Sequence, residues 1–198
     1  MENTPLGFFA MAITALAIEN ALFFRVLGFN KYVLFLKSPK EGLWYGGTFT
    51  VLLLLSAPLV SLGYFLLWGV SYANYLWAPL HFVCVALVFL LVFFGTRRFL
   101  PGIFEKIRDI LPITAFNTAL FGVFYVSAQG SYPFAQTMGY ALGTGAGYTM
   151  AVLIVYYARK RLAMNPTPRS FRGLPILLIY IGLFSLALYG LIGQGSPT

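Results

Sequence analysis

The chain has 198 residues, 60% of them hydrophobic, 18% aromatic and only 9% charged, with a formal net charge of +8. Soluble domains carry roughly 25% charged residues, so an ordinary soluble domain is excluded, and a mean hydropathy of +0.82 points to a chain immersed in lipid. A lone cysteine, Cys84, excludes an internal disulfide, a CxxC motif and a thiolate-rich metal site.

Crossing the hydrocarbon core as a helix takes about 20 apolar residues. Six stretches reach that length, at about 6–28, 43–68, 76–96, 110–128, 132–158 and 173–193. The first lacks the basic flank of a cleavable signal peptide, because Glu2 is the only charge before it. It carries Glu19, the one acidic residue inside an apolar stretch, about 13 residues in and so roughly 20 Å along a helix. An intramembrane carboxylate is expensive and reads by default as functional; the plainer reading is a carboxyl hydrogen-bonded between helices. Arg25, six positions on, falls about 240° round a helix, so the two are not expected to be neighbours. Asn20 lies beside Glu19, and Gly28 and Asn30 follow where the segment should end or break.

Segments two and five are long enough to tilt or overshoot the bilayer. Segment three holds His81 near its outer end and Cys84 one turn later. The histidine reads as a hydrogen-bonded interfacial residue, and the thiol as a small hydrophobe. The connection from Leu100 to Leu111 repeats apolar residues at 100, 103, 104, 107, 110 and 111, with Glu105, Lys106, Arg108 and Asp109 largely opposite. That spacing predicts a short amphipathic helix on the membrane surface. Segment four carries Asn117 and Thr118, polar groups placed to match those of segment one. Gly139, Gly143, Gly145 and Gly147 of segment five suit close helix packing rather than a phosphate cradle. Residues 164–169, with Pro166 and Pro168, form an extended linker into segment six.

All 13 Lys and Arg residues lie in three clusters on alternate connections, at 25–40, 97–108 and 159–172. Cytoplasmic loops carry such an excess. The expected topology therefore has both termini outside and the first, third and fifth connections in the cytoplasm. The same placement explains the net charge as membrane orientation rather than nucleic-acid binding. Three helices per half put the second half upside down relative to the first. Weak internal similarity supports a duplication: Glu19–Phe23 is echoed by Asn117–Phe121 at an offset of 98, and Gly46–Thr50 by Gly145–Thr149 at an offset of 99. Inverted repeats of this kind place a working site at their interface, near the midplane. The expected fold is an all-α integral membrane protein. It is a single membrane domain over 1–198 (pseudo-repeats 1–98 and 99–198) of six transmembrane helices, with helices one and four interrupted.

Four stretches carry a resemblance to a known family. They are Ile18-Glu19-Asn20-Ala21-Leu22 leading to Leu27-Gly28; Ile110-Leu111-Pro112-Ile113-Thr114 leading to Asn117; Tyr140 through Tyr148; and Phe171-Arg172-Gly173-Leu174-Pro175-Ile176. In order and spacing the chain resembles the six-helix membrane subunits of the Rnf and Na+-NQR electron-transport complexes, closest to the RnfA/NqrE type. The resemblance implies outside termini, two inverted halves, and a place in the cell inner membrane. It also implies a sister subunit of the RnfE/NqrD kind, with further redox subunits as partners. In that family, cysteines in segments one and four help hold an iron–sulfur cluster shared with the sister subunit. Here those positions are Asn30 and Thr118, and neither an amide nor a hydroxyl replaces a thiolate.

Glu19, Asn20, Asn30, Asn117 and Thr118 are thus the candidate intramembrane polar site, with no catalytic residue, no metal ligand and no cofactor expected. The leading reading is a non-catalytic scaffold or half-channel of a redox-driven ion translocase, in contact with lipid and partner subunits. The alternative is a small proton- or cation-coupled transporter that carries no electrons, with Glu19 as its site. A third reading places a flavin or quinone between aromatic-lined helices.

Overall fold

The computed structural model describes residues 5–25, 27–34, 36–67, 73–164 and 168–192, and these are helical almost throughout. In chain order the helices are α1 (Pro5–Ile13), α2 (Lys31–Leu34), α3 (Pro39–Leu66), α4 (Ala73–Phe99), α5 (Pro101–Ile107), α6 (Leu111–Ala115), α7 (Thr118–Gln129), α8 (Phe134–Met164) and α9 (Leu174–Ile192). Four described stretches are long and apolar enough to cross a membrane: Pro39–Leu66, Tyr75–Phe99, Leu111–Gln129 and Phe134–Met164. Pro5–Leu16 and Leu174–Gly190 are apolar but shorter.

Local chemistry sets the helix ends. Ser38, in extended backbone, accepts from the Glu41 N–H at 3.2 Å, and Pro39 occupies the first turn of α3; a proline there gives up only an N–H that has no helical partner. Pro101 plays the same part for α5. That helix is shorter than the amphipathic stretch expected over 100–111, ending at Ile107 before a turn leads to α6. Of the six apolar positions over 100–111, Ile107, Ile110 and Leu111 are buried, Phe104 is half-buried and Leu100 and Ile103 are exposed, as are Glu105, Lys106, Arg108 and Asp109. Residues 165–167 of the proline-rich linker lie outside the described residues; of the rest, Met164 still belongs to α8, Pro168 is extended with ψ 144°, and a 3-10 turn begins at Arg169.

Segment one departs most from a plain helix. α1 widens into a π turn at Thr14–Ile18, with the Glu19 N–H bonded to Thr14 O at 2.8 Å, and regular helix then stops. The chain turns through 21–25, passes Gly28 at φ +82° and resumes as α2. Segment four breaks at Phe116 and Asn117, between α6 and α7.

α8 is the spine. α1 lies parallel along its glycine stripe: a Cβ on Gly139 would come 2.9 Å from the Phe8 carbonyl carbon, and one on Gly143 2.7 Å from that of Ala12. α3 runs antiparallel on another face, where Gly46 packs on Thr149 and Gly145 packs on Thr50. Each threonine hydroxyl donates to the glycine carbonyl one turn earlier in its own helix, both at 2.8 Å. The buried core around this contact takes in Leu52, Leu53, Val85, Leu120, Phe124, Val152 and Ile181 from both halves of the chain.

Candidate functional site

The broken ends of segments one and four meet beside two tyrosines. Asn30 accepts from the Val33 N–H at 2.9 Å with its Oδ1, capping α2, and its Nδ2 donates to the Tyr45 hydroxyl at 2.7 Å. Asn117 does the equivalent for α7: its Oδ1 accepts from the Ala119 N–H at 3.0 Å, and its Nδ2 donates to Tyr45 at 2.8 Å and Tyr148 at 3.1 Å. Tyr148 donates to Gly28 O at 2.6 Å, and the Gly28 N–H donates to Thr118 Oγ1 at 2.9 Å. Tyr45 on α3 and Tyr148 on α8 are fully buried, with ring centroids 6.1 Å apart. Phe49 lies 4.4 Å from the Tyr148 ring, and Tyr32 stacks on Tyr45 at 5.2 Å.

These bonds join the two broken ends in one network, running from Asn30 through Tyr45, Asn117, Tyr148 and Gly28 to Thr118. Both amide hydrogens of Asn117 go to hydroxyls, the Tyr45 oxygen already accepts two donors, and the Tyr148 proton is taken by Gly28. Gly28 has to be glycine twice over: its φ is positive, and a Cβ there would lie 2.6 Å from the Tyr148 ring. Three of the five candidate residues, Asn30, Asn117 and Thr118, are therefore brought together.

The other two stand apart. Asn20 spends its Oδ1 on the N–H groups of Leu22 and Phe23, at 3.1 and 3.4 Å. Its Nδ2 donates to Gly147 O at 2.9 Å, so it fastens the end of α1 to α8. Glu19 is paired with Arg25, 2.8 Å from Oε2 to Nη2, and the same oxygen accepts from the Tyr140 hydroxyl at 2.9 Å. The expectation that Arg25 would not neighbour Glu19 is wrong for a definite reason. It assumed an unbroken helix, and the helix ends at Ile18, so the turn brings Arg25 back.

His81 is buried between helices and hydrogen-bonded, the latter as expected. Its Nε2 meets the Tyr64 hydroxyl, whose proton goes to Phe124 O at 2.9 Å. A hydroxyl has one proton to give, so Nε2 is the donor of the first bond, which ties α4 to α3 and α7. Cys84 packs in the same core. Among the described residues no group of three His, Cys, Asp or Glu side chains is placed to hold a metal. Sequence reasoning missed Tyr45, Tyr148 and Tyr140, and also Arg159, which donates to the carbonyls of Leu34 and Leu36 and fastens the chain leaving α2 to α8. A usable signal existed, because a tyrosine inside an apolar helix needs a partner for its hydroxyl.

The donor set at the break does not fit an iron–sulfur cluster. Such clusters take thiolates. At the two positions where the resemblance places thiolates stand an amide bonded to Tyr45 and a hydroxyl bonded to the Gly28 N–H, and the Tyr148 ring crowds Gly28.

An all-helical, membrane-embedded chain with paired helix breaks is the class that these features define. Residues 8–194 match the family described as "Rnf-Nqr subunit, membrane protein", and the chain belongs to that family. Its relatives include a protein of the ion-translocating oxidoreductase complex of Syntrophotalea carbinolica, 26% identical over 91% of this chain and 94% of that protein. Another, from the Na(+)-translocating ferredoxin:NAD(+) oxidoreductase complex of Acetobacterium woodii, is 24% identical over 92% and 95%. A third, from the Na(+)-translocating NADH-quinone reductase of Proteus mirabilis, is 27% identical over 94% and 97%. All three are named as subunits of their complexes.

Proposed function

We propose that the chain is a membrane subunit of an Rnf- or Nqr-like ion-translocating redox complex, serving as scaffold or half-channel without a cluster of its own. The hydrogen-bonded network from Asn30 through Tyr45, Asn117, Tyr148 and Gly28 to Thr118 carries this reading. Family membership supplies the setting, and an amide and a hydroxyl that take part in this network stand where the resemblance places thiolates. Electrons then pass through partner subunits, including a sister of the RnfE/NqrD kind. Arg25 and Tyr140 both hold Glu19, which favours this reading over a transporter with Glu19 as an open cation site.

The topology goes with it: six spans, both termini outside, and two inverted halves. The Gly46–Thr149 and Gly145–Thr50 contacts support the inversion. Positions 99 residues apart exchange roles across an antiparallel helix pair, as an approximate two-fold axis in the membrane plane requires.

Two measurements test the proposal. The chain purified alone under anaerobic conditions should contain no stoichiometric iron or acid-labile sulfide. Stoichiometric iron that survives Cys84→Ala refutes the cluster-free reading. In a Cys84→Ala background, cysteines at Ser38, Thr96 and Thr167 should be shielded from an impermeant thiol reagent in intact cells, while those at Thr4 and Ser196 label. Reversed labelling overturns the topology.

A further inference from the structure

An open groove of about 620 Å³ lies between α3, α4 and α5. Its long wall is one stripe of α3, from Lys40 past Trp44 and Gly47 to Val51, with Val92 and Thr96 of α4 facing it. Two hydroxyls border it, but neither offers a proton: Thr48 donates to Trp44 O at 2.7 Å and Thr96 to Val92 O at 2.6 Å. Apart from these hydroxyls and the Trp44 indole the wall is apolar, which suits a hydrocarbon chain. The charge is at one end only. Lys40 lines that end, and Lys106 sits 5.2 Å above the Trp44 ring. Neither lysine makes an ion pair among the described residues.

From this we infer that the groove is a binding site for one anionic phospholipid, its acyl chain along the stripe to Val51 and its phosphate between Lys40 and Lys106. Basic pockets between transmembrane helices at the membrane interface recognise anionic headgroups in this way. The stripe from residue 40 to 51 is about 16 Å long. Gly47 forms the floor, where an added Cβ would meet nothing within 4 Å.

The test uses the full chain, delipidated in mild detergent and titrated with phosphatidylglycerol or phosphatidylcholine of matched chains, with bound lipid counted by native mass spectrometry. Each lysine near the headgroup is worth about a factor of five, so phosphatidylglycerol should bind at least tenfold more tightly. Lys40→Gln with Lys106→Gln should bring it down to the level of phosphatidylcholine. Gly47→Leu, which fills the groove without touching protein at its Cβ, should abolish saturable binding of both lipids while the melting temperature holds. Equal binding of the two lipids by the parent overturns the inference, as does unchanged phosphatidylglycerol binding by Gly47→Leu. Loss of a co-purifying protein from Gly47→Leu with lipid binding intact overturns it too, and assigns the groove to a protein partner.

Discussion

Gly143→Ala probes the contact on which the arrangement of segment one depends. The new methyl would sit 2.7 Å from the Ala12 carbonyl carbon and 2.8 Å from its Cα, where carbon atoms pack at about 3.5–4.0 Å. Both surfaces are backbone, so no rotamer change relieves the overlap, and α1 must lift off α8 by nearly an ångström. Overpacking of this kind costs typically 1–3 kcal/mol, and two opposed backbones put it at the upper end. Alanine returns about 0.5–1 kcal/mol of helix propensity, leaving a net loss of about 2 kcal/mol. Gly47→Ala is the control, in a helix interior with nothing near its Cβ, and should gain up to about 1 kcal/mol. The two variants should thus differ by about 3 kcal/mol, more than a hundredfold in the folding equilibrium, in detergent-to-SDS unfolding followed by circular dichroism. Lifting α1 also pulls Asn20 from Gly147 O, now 2.9 Å away, so the loss should shrink in an Asn20→Ala background. Equal unfolding midpoints for Gly143→Ala and Gly47→Ala would refute the close parallel packing of α1 on α8.

Tyr45→Phe keeps the aromatic ring but removes the oxygen that accepts from Asn30 and Asn117; a half-buried and a buried amide donor lose a partner, and unfolding should come about 2 kcal/mol sooner. Gly28→Ala meets both a positive φ and the Tyr148 ring, and should lower stability more than Gly173→Ala, which has a positive φ but open space around it. Glu19→Gln should insert and fold while impairing coupling of the assembled complex. A double-mutant cycle with Arg25→Gln should show a coupling on the order of 1 kcal/mol in stability, and a fully active Glu19→Gln complex would make the pair merely structural. Asn30→Cys with Thr118→Cys should acquire iron only in the presence of a partner that brings further thiolates, read as iron and labile sulfide per chain.

Apolar length and turn chemistry made much of the fold legible: α3, α4, α8 and α9 fall on the second, third, fifth and sixth apolar stretches within a few residues, and the glycines of α8 pack helices as their spacing suggests. The break in segment four was readable because Asn117 is a natural N-cap inside an apolar run. The break in segment one was placed too late, at Gly28 and Asn30. Nothing in Thr14–Ile18 announces a π turn, and a helix drawn past it separates Glu19 from Arg25 by geometry that the chain does not keep. Asn30 and Thr118 were legible as a pair through the family resemblance. Tyr45 and Tyr148 could be flagged only as hydroxyls in apolar helices that need partners, because among 13 tyrosines nothing local tells which of them join the polar network.

The network of Asn30, Tyr45, Asn117, Tyr148, Gly28 and Thr118 also has a physical task that precedes any functional one. A helix broken within the hydrocarbon leaves N–H and C=O groups with no water to satisfy them, at several kcal/mol each. Asn30 and Asn117 each cap the helix that restarts after a break, Thr118 takes the Gly28 N–H, and Tyr148 serves Gly28 O. Every polar atom that the breaks expose at Gly28 is thereby met by a side chain from across the junction. Thiolates at positions 30 and 118 would give up the Asn30 cap and the Thr118 bond, and a metal cluster would have to hold the broken ends in their place. The present residues hold them by hydrogen bonds alone. The two breaks are thus sealed by side-chain hydrogen bonds, a geometry that stands without any metal ligand.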